Sequence, residues 1–205
     1  MNELSTEHWR RIDVSFPIVV SGPSGVGKTS IVDRLLELDP RCVRSISATT
    51  RPPRAGERDG ESYFFVAEER FLQMRERGEL AESAIYRDCW YGTPKAFLKS
   101  QIDAGLSVVL NIEVQGGLQV KRHDSGSVLV FVLPPSWDEL RRRLTSRGTD
   151  TPESIDGRIR RGVEELEMVR DYDFVIVNDD LNRCVTDLAA IVRAERRRRT
   201  RLERV

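Results

Sequence analysis

Apolar positions along this chain follow two spacings, and the switching between them predicts its elements. Unbroken apolar stretches at Phe16–Val20, Ser107–Ile112, Val128–Leu133 and Phe174–Val177 suit strands buried on both faces. Between them the period lengthens to that of a helix. Ile31-Val32 and Leu35-Leu36 lie one turn apart, Gln115–Lys121 reads as helical, and Val185, Leu188, Ile191 and Val192 mark the apolar face of a closing helix. Ser136-Trp137-Asp138-Glu139 reads as a capping box opening a helix to Leu144. Pro152-Glu153 suits the start of another helix, running to about Arg170. Strands alternating with helices predict an α/β fold with a central parallel sheet.

The middle third breaks this rhythm. After a turn at Asp39-Pro40, Cys42–Ser47 has strand character. Thr49–Gly60 packs two prolines, two glycines and three arginines into one irregular loop. Glu61–Val66 is aromatic and β-rich; Glu68–Gly78 reads as a helix with Phe71 and Met74 inward. Leu80–Tyr86 and Trp90-Tyr91 return to strand, and Pro94 opens a helix bearing Phe97 and Ile102. The expected layout is a single domain. Its core is 16–40 and 107–196, interrupted by a strand-rich inserted region, 41–106.

At 205 residues, one domain is the natural expectation, and 39% hydrophobic with 32% charged residues provides a core and a solvated surface. A formal net charge of zero gives no global pull toward nucleic acid or an anionic membrane. No apolar run approaches the ~18 residues of a spanning helix, and Met1–Arg11 is polar, unlike a signal peptide. Three cysteines without metal-ligand spacing fit a reduced, cytoplasmic setting. Arg193–Val205 holds seven arginines and two glutamates. Lacking interleaved aromatics for base stacking, it reads as a solvated helix extension rather than a nucleic-acid arm, although such an arm is the alternative. Oligomeric state is left open.

Chemistry enters at Gly22-Pro23-Ser24-Gly25-Val26-Gly27-Lys28-Thr29, between the first strand and the first helix. This is the GxxxxGK[ST] pattern in its required strand–loop–helix context. Glycines let successive backbone N–H groups turn inward around an anion, and the helix adds its own unpaired N–H groups and dipole. Lys28 can reach the outer phosphates, and the Thr29 hydroxyl can ligate Mg²⁺ directly or through water. Only four lysines stand among 33 basic residues, so a lysine here suits a site wanting a compact charge. The expected ligand is a nucleoside triphosphate held by residues 22–30, Ser30 included.

A second signal is longer. Ser45–Phe65, with Arg51-Pro52-Pro53-Arg54 and Gly56-Glu57-Arg58-Asp59-Gly60 at its centre, resembles the nucleoside-monophosphate-binding segment of guanylate kinases. The resemblance continues in Glu82, in Trp90-Tyr91-Gly92-Thr93, in Arg147-Gly148-Thr149-Asp150, in Arg158 and in Val177-Asn178-Asp179-Asp180, covering about 16–196. It implies a P-loop NTPase fold with an inserted GMP-binding region, a short helical lid at about 147–160, and ATP:GMP phosphotransferase activity with Mg²⁺; the Arg-rich tail at 197–205 lies beyond it. It assigns Arg51, Arg54, Tyr63 and Tyr91 to the acceptor phosphate. Glu82 falls to the base, with Ser47 and Thr93 as hydroxyl partners. Arg147 and Arg158 become lid arginines, catalytic together with Lys28 and Arg51, and Asn178 stands beside the donor adenine.

Physics agrees with these roles. Arginines grip phosphate oxygens bidentately, and prolines between them stiffen the loop, reducing the entropy lost on binding. Guanine presents N1–H and N2–H₂ as adjacent donors that one carboxylate accepts together, whereas adenine puts a lone pair at N1. The chain departs from the family at Asn111-Ile112-Glu113, where Asp-x-Asp is usual, and at Asp88-Cys89, where Gly-Asn is usual. Asn111 and Glu113 are therefore expected near the acceptor with one charge where the family has two. Two other readings are a non-catalytic guanylate-kinase-like binding module and a kinase for another phosphorylated small molecule.

Overall fold

The computed structural model describes residues 14–86, 88–146 and 151–198. The polar N-terminus to Asp13, the expected lid motif Arg147–Asp150 and the tail beyond Arg198 lie outside the described residues. In chain order the elements are β1 (Pro17–Ser21), α1 (Lys28–Leu38), β2 (Cys42–Arg44), β3 (Ala48–Thr49), β4 (Phe64–Phe65), α2 (Glu68–Glu76), β5 (Leu80–Tyr86), β6 (Cys89–Pro94) and α3 (Lys95–Asp103). They continue with β7 (Ser107–Asn111), α4 (Val114–His123), β8 (Val128–Leu133), α5 (Trp137–Thr145), α6 (Pro152–Glu165), a 3-10 segment (Leu166–Asp171), β9 (Phe174–Val177) and α7 (Leu181–Glu195).

Five strands form a parallel sheet in the order β2-β7-β1-β8-β9. All five residues of β1 are buried, and its alternation divides the core. Ile18 and Val20 pack with Ile31, Val32 and Leu35 of α1, Leu140 and Leu144 of α5, and Leu188 and Val192 of α7. Val19 points the other way, into a cluster with Leu98 of α3, Val114 and Val120 of α4, and Phe131 and Tyr172. Burying each such aliphatic side chain contributes about 1.5–3 kcal/mol. Double-sided burial is why these strands read as apolar runs. β1 lies between β7 and β8, so the loops leaving the carboxyl ends of these three strands face one crevice.

The inserted region forms a second sheet, β4-β3-β6-β5, in which β5 and β6 make an antiparallel hairpin and β3 pairs parallel with β4. Three boundaries differ from expectation. The strand expected over Cys42–Ser47 ends early: β2 stops at Arg44, paired with β7 in the core sheet, and a separate strand starts at Ala48 in the second sheet. The insertion therefore starts after Arg44 rather than at residue 41. The strand expected over Glu61–Val66 shrinks to Phe64–Phe65, because Glu61 and Ser62 donate backbone N–H groups to Arg58 O in a turn. The helix expected to run to about Arg170 tightens to 3-10 geometry after Glu165, where Leu166, Met168 and Val169 pack onto the Val19 face. The capping box forms by half. Ser136 Oγ accepts from Glu139 N, but the Glu139 carboxylate bonds Arg142 and Arg143, which hold it down at about 2.

Candidate active site

The loop from Gly22 to Gly27 links the buried β1 to α1, and its shape is held from outside. Gly27 has φ 103°, and a Cβ there would come within 2.5 Å of Asn178 Nδ2. That amide is buried and donates to Val26 O at 2.7 Å. Arg143 donates to Asn178 O (3.0 Å) and to Val26 O (3.5 Å). Asn178, expected beside the donor adenine, supports the loop from beneath, its side-chain amide engaged by Val26 O. Arg143 shares that task and was not picked out from sequence. An arginine in an amphipathic helix ordinarily reads as a solvated charge.

Lys28 opens α1, and its ammonium donates to Gly22 O (2.5 Å) and Pro23 O (3.2 Å). Burial holds its pKa below the usual lysine range, against the pull of Glu113 and Glu165. Thr29 and Ser30 follow, exposed in the first turn, and Thr29 Oγ1 accepts from Asn111 Nδ2 at 3.1 Å. Arg158, on α6, reaches Ser24 Oγ at 3.4 Å. Ser24, Arg158, Arg161, Glu113, Glu153 and Glu165 line a cleft of about 600 Å³ between this loop and α6.

A second cavity of about 350 Å³ adjoins it. Ser47, Arg51, Arg54, Tyr63, Glu82, Tyr91, Asn111 and Glu113 line it, so eight of the nine expected acceptor residues converge. Arg51 lies with Cζ 5.4 Å from the Tyr63 ring centroid and 5.8 Å from that of Phe65, a cation–π stack on both rings. Tyr63 and Tyr91 meet edge to face at 5.9 Å. The ninth residue, Thr93, is fully buried, and its hydroxyl donates to Glu82 Oε1 at 2.7 Å. Expected as a hydroxyl partner of the base, it anchors Glu82. The hairpin register, Glu82 opposite Thr93, makes that contact. Glu82 is itself buried; desolvation raises its pKa and the Thr93 hydrogen bonds oppose the shift.

Glu165 is a site residue that sequence reading missed. It ends α6 three residues after the buried Gly162, and its Oε2 is buried with no hydrogen-bond partner among the described residues. Burial first, then Glu113, pushes its pKa up to about 7; Lys28 and Arg161 oppose. Its one sequence signal was a position on the inward face of a helix. With an ordinary value of 4.5, an unfolded chain loses this proton while the folded chain keeps it up to about 7. Stability from this group therefore falls as pH rises through that window and is lost above it. Glu165→Gln is expected to flatten the slope between pH 4.5 and 7 and raise Tm at pH 8 by about 2–4 °C. Thermal scans across that range check it, and an unchanged slope would assign the proton elsewhere.

An anion loop with a half-buried lysine and an arginine cavity with a buried carboxylate thus share one crevice. A family model described as guanylate kinase matches residues 15–195. A guanylate kinase of Caldanaerobacter subterraneus is 47% identical over 179 residues, 87% of each chain. One from Alkalilimnicola ehrlichii is 46% identical over 185 residues, covering 90% of this chain and 91% of the relative. Among solved structures, the guanylate kinase of Anaplasma phagocytophilum superposes with a TM-score of 0.72 at 34% identity, covering 92% of this chain and 90% of that one. The chain belongs to the guanylate kinase family.

Proposed function

We propose that the protein transfers the γ-phosphoryl group of ATP to GMP, giving ADP and GDP. The observation that carries this reading is the junction of the two cavities. Glu113 lines both, and Asn111 lines the second while its amide donates to Thr29 on the loop. A triphosphate on the loop and a monophosphate among the arginines would face each other across these two residues. An oxygen of the GMP phosphate attacks the γ-phosphorus, the bond to the β,γ-bridging oxygen breaks, and ADP leaves with that electron pair. Positioning and charge neutralisation supply most of the catalysis in this class.

Lys28 and the loop amides hold the donor phosphates, Arg51, Arg54, Tyr63 and Tyr91 the acceptor phosphate, and Glu82 the guanine edge. Arg158 neutralises charge on the transferred group from α6, and we assign Arg147 the same task. Thr29 Oγ1 is a hard oxygen donor at the head of α1, and such a site fits Mg²⁺, which takes one or two protein oxygens together with phosphates and water. When bound, the ion neutralises charge on the β- and γ-phosphates. Among the described residues no helix is long and apolar enough to cross a membrane; a cytoplasmic setting is our proposal.

A coupled assay with ATP against GMP, AMP, CMP and UMP tests the reading. Turnover with GMP far above the other three is expected; none with any of them would favour a binding module, and preference for another acceptor would move the base site. The departure at 111 and 113 yields a further expectation. Glu113 acts electrostatically on Lys28 and Glu165, whereas Asn111 contributes one neutral hydrogen bond. Glu113→Gln should lower turnover by over ~10-fold and Asn111→Ala only a few-fold, the gap between charge-assisted and neutral contacts. GMP-dependent ADP formation at saturating Mg²⁺ compares them; the reverse order would make Asn111 a direct substrate contact.

A further inference from the structure

Arg51 does not meet the acceptor cavity alone. The turn Arg54-Ala55-Gly56-Glu57 closes through Glu57 N donating to Arg54 O at 3.0 Å, and Gly56 at its third position has φ 86°. A type II turn requires a positive φ there, which glycine supplies without strain. The reversal brings the Glu57 carboxylate back over the loop. Its Oε2 accepts from Arg51 Nη1 (3.0 Å) and from Arg54 N (2.7 Å), and its Oε1 accepts from Arg51 Nη2 (2.8 Å). The paired side chains are 14% and 22% exposed, so this is no free surface pair.

Counting donors shows what the pair leaves over. A guanidinium has five N–H groups. Nη1 gives one to Glu57 and the other to Pro52 O at 2.7 Å. Nη2 gives one to Glu57. Nε–H and the second Nη2–H remain, one side edge of the fork that neither Glu57 nor Pro52 takes, and Tyr91 acts favourably on the same guanidinium. The flat face is stacked on Tyr63 and Phe65.

We infer that Glu57 is the positioning residue of the acceptor clamp: it holds Arg51 end-on and the Arg54 backbone together, so that the Nε–Nη2 edge of Arg51 receives the acceptor phosphate. The inference rests on the acceptor-site reading above. Electrostatics agree, since Arg51 holds the Glu57 carboxyl below its usual range and Glu57 raises the guanidinium above its own. The pair keeps a rigid cation with one side edge left over by Glu57 and Pro52, and a rigid fork loses less entropy on meeting an anion.

The test is calorimetric binding of GMP and of guanosine, which lacks the phosphate, to the wild-type protein, Glu57→Gln and Arg51→Ala. Steady-state KM values for GMP and ATP accompany it. Glu57→Gln keeps the shape and one acceptor oxygen but turns an amide N–H toward the guanidinium. It is expected to weaken GMP roughly tenfold, as for coupled neighbours, with guanosine binding and the KM for ATP unchanged. Equal loss for GMP and guanosine would show a general collapse of the inserted region and overturn the inference. Unchanged or tightened GMP binding would overturn it too, the latter making Glu57 a competitor of the phosphate. In either of those cases, weakened GMP binding by Arg51→Ala leaves the acceptor site standing. If Arg51→Ala binds GMP as wild type does, the acceptor site itself is misplaced.

Discussion

Lys28→Ala is expected to lower turnover by about 10³, the scale of losing one preorganised charge contact on a transferring group. The ammonium is fixed by two loop carbonyls, Gly22 O and Pro23 O, at the mouth of the anion loop. From there it needs only a short swing to reach phosphates held by the loop amides. Its environment is tuned for that move. Burial disfavours the charge, while Glu113 and Glu165 favour it. Alanine suits the first turn of α1, and the helix is anchored by Ile31, Val32 and Leu35 rather than by position 28. The variant should therefore fold, which thermal unfolding verifies alongside turnover at saturating ATP and GMP. Turnover within threefold of wild type would remove Lys28 from the donor site.

Glu82→Gln is expected to lower kcat/KM for GMP by about 10–100-fold, the range for a hydrogen bond to a charged group, while the poor efficiency with AMP falls less or rises. On the proposed reading the buried carboxylate accepts guanine N1–H and N2–H₂ together. A glutamine offers one acceptor oxygen and turns an N–H toward a donor, leaving buried polar groups unpaired. Thr93 distinguishes this from a structural loss. Its hydroxyl donates to one oxygen of Glu82, and the amide oxygen of glutamine keeps that bond. Desolvation already raises the Glu82 pKa, so removing the charge takes away a burial cost above pH 4.5 and should not lower Tm at neutral pH. Equal losses for GMP and AMP would make Glu82 structural and move base choice elsewhere.

Much of this site was legible before any fold was in hand. The anion loop was readable because Gly22–Thr29 is a local device, a strand, a glycine turn and a helix start in sequence order. The contact of Glu82 with Thr93, eleven residues apart, was not read from the sequence, which set both against the base; it follows from the hairpin register. The support Asn178 gives the loop was not legible, because its motif names a neighbourhood and not a direction. Only the fold of α5 and β9 against the loop turned its amide onto Val26, 152 residues away. Glu57 was quoted within a motif yet given no task, since its reach back to Arg51 depends on a turn closed at Arg54.

What the sequence alone determined is the alternation of strands and helices and the place of the anion loop. Both are written in nearest-neighbour terms, through side-chain period and backbone stereochemistry. Tertiary structure alone decided which charges act on one another. Glu165 bears on Lys28 because α6 packs over the loop, not because of anything near either residue in the chain. Coulomb energy and desolvation depend on distance and burial in space, and for groups brought together by packing those are set only when the chain has folded.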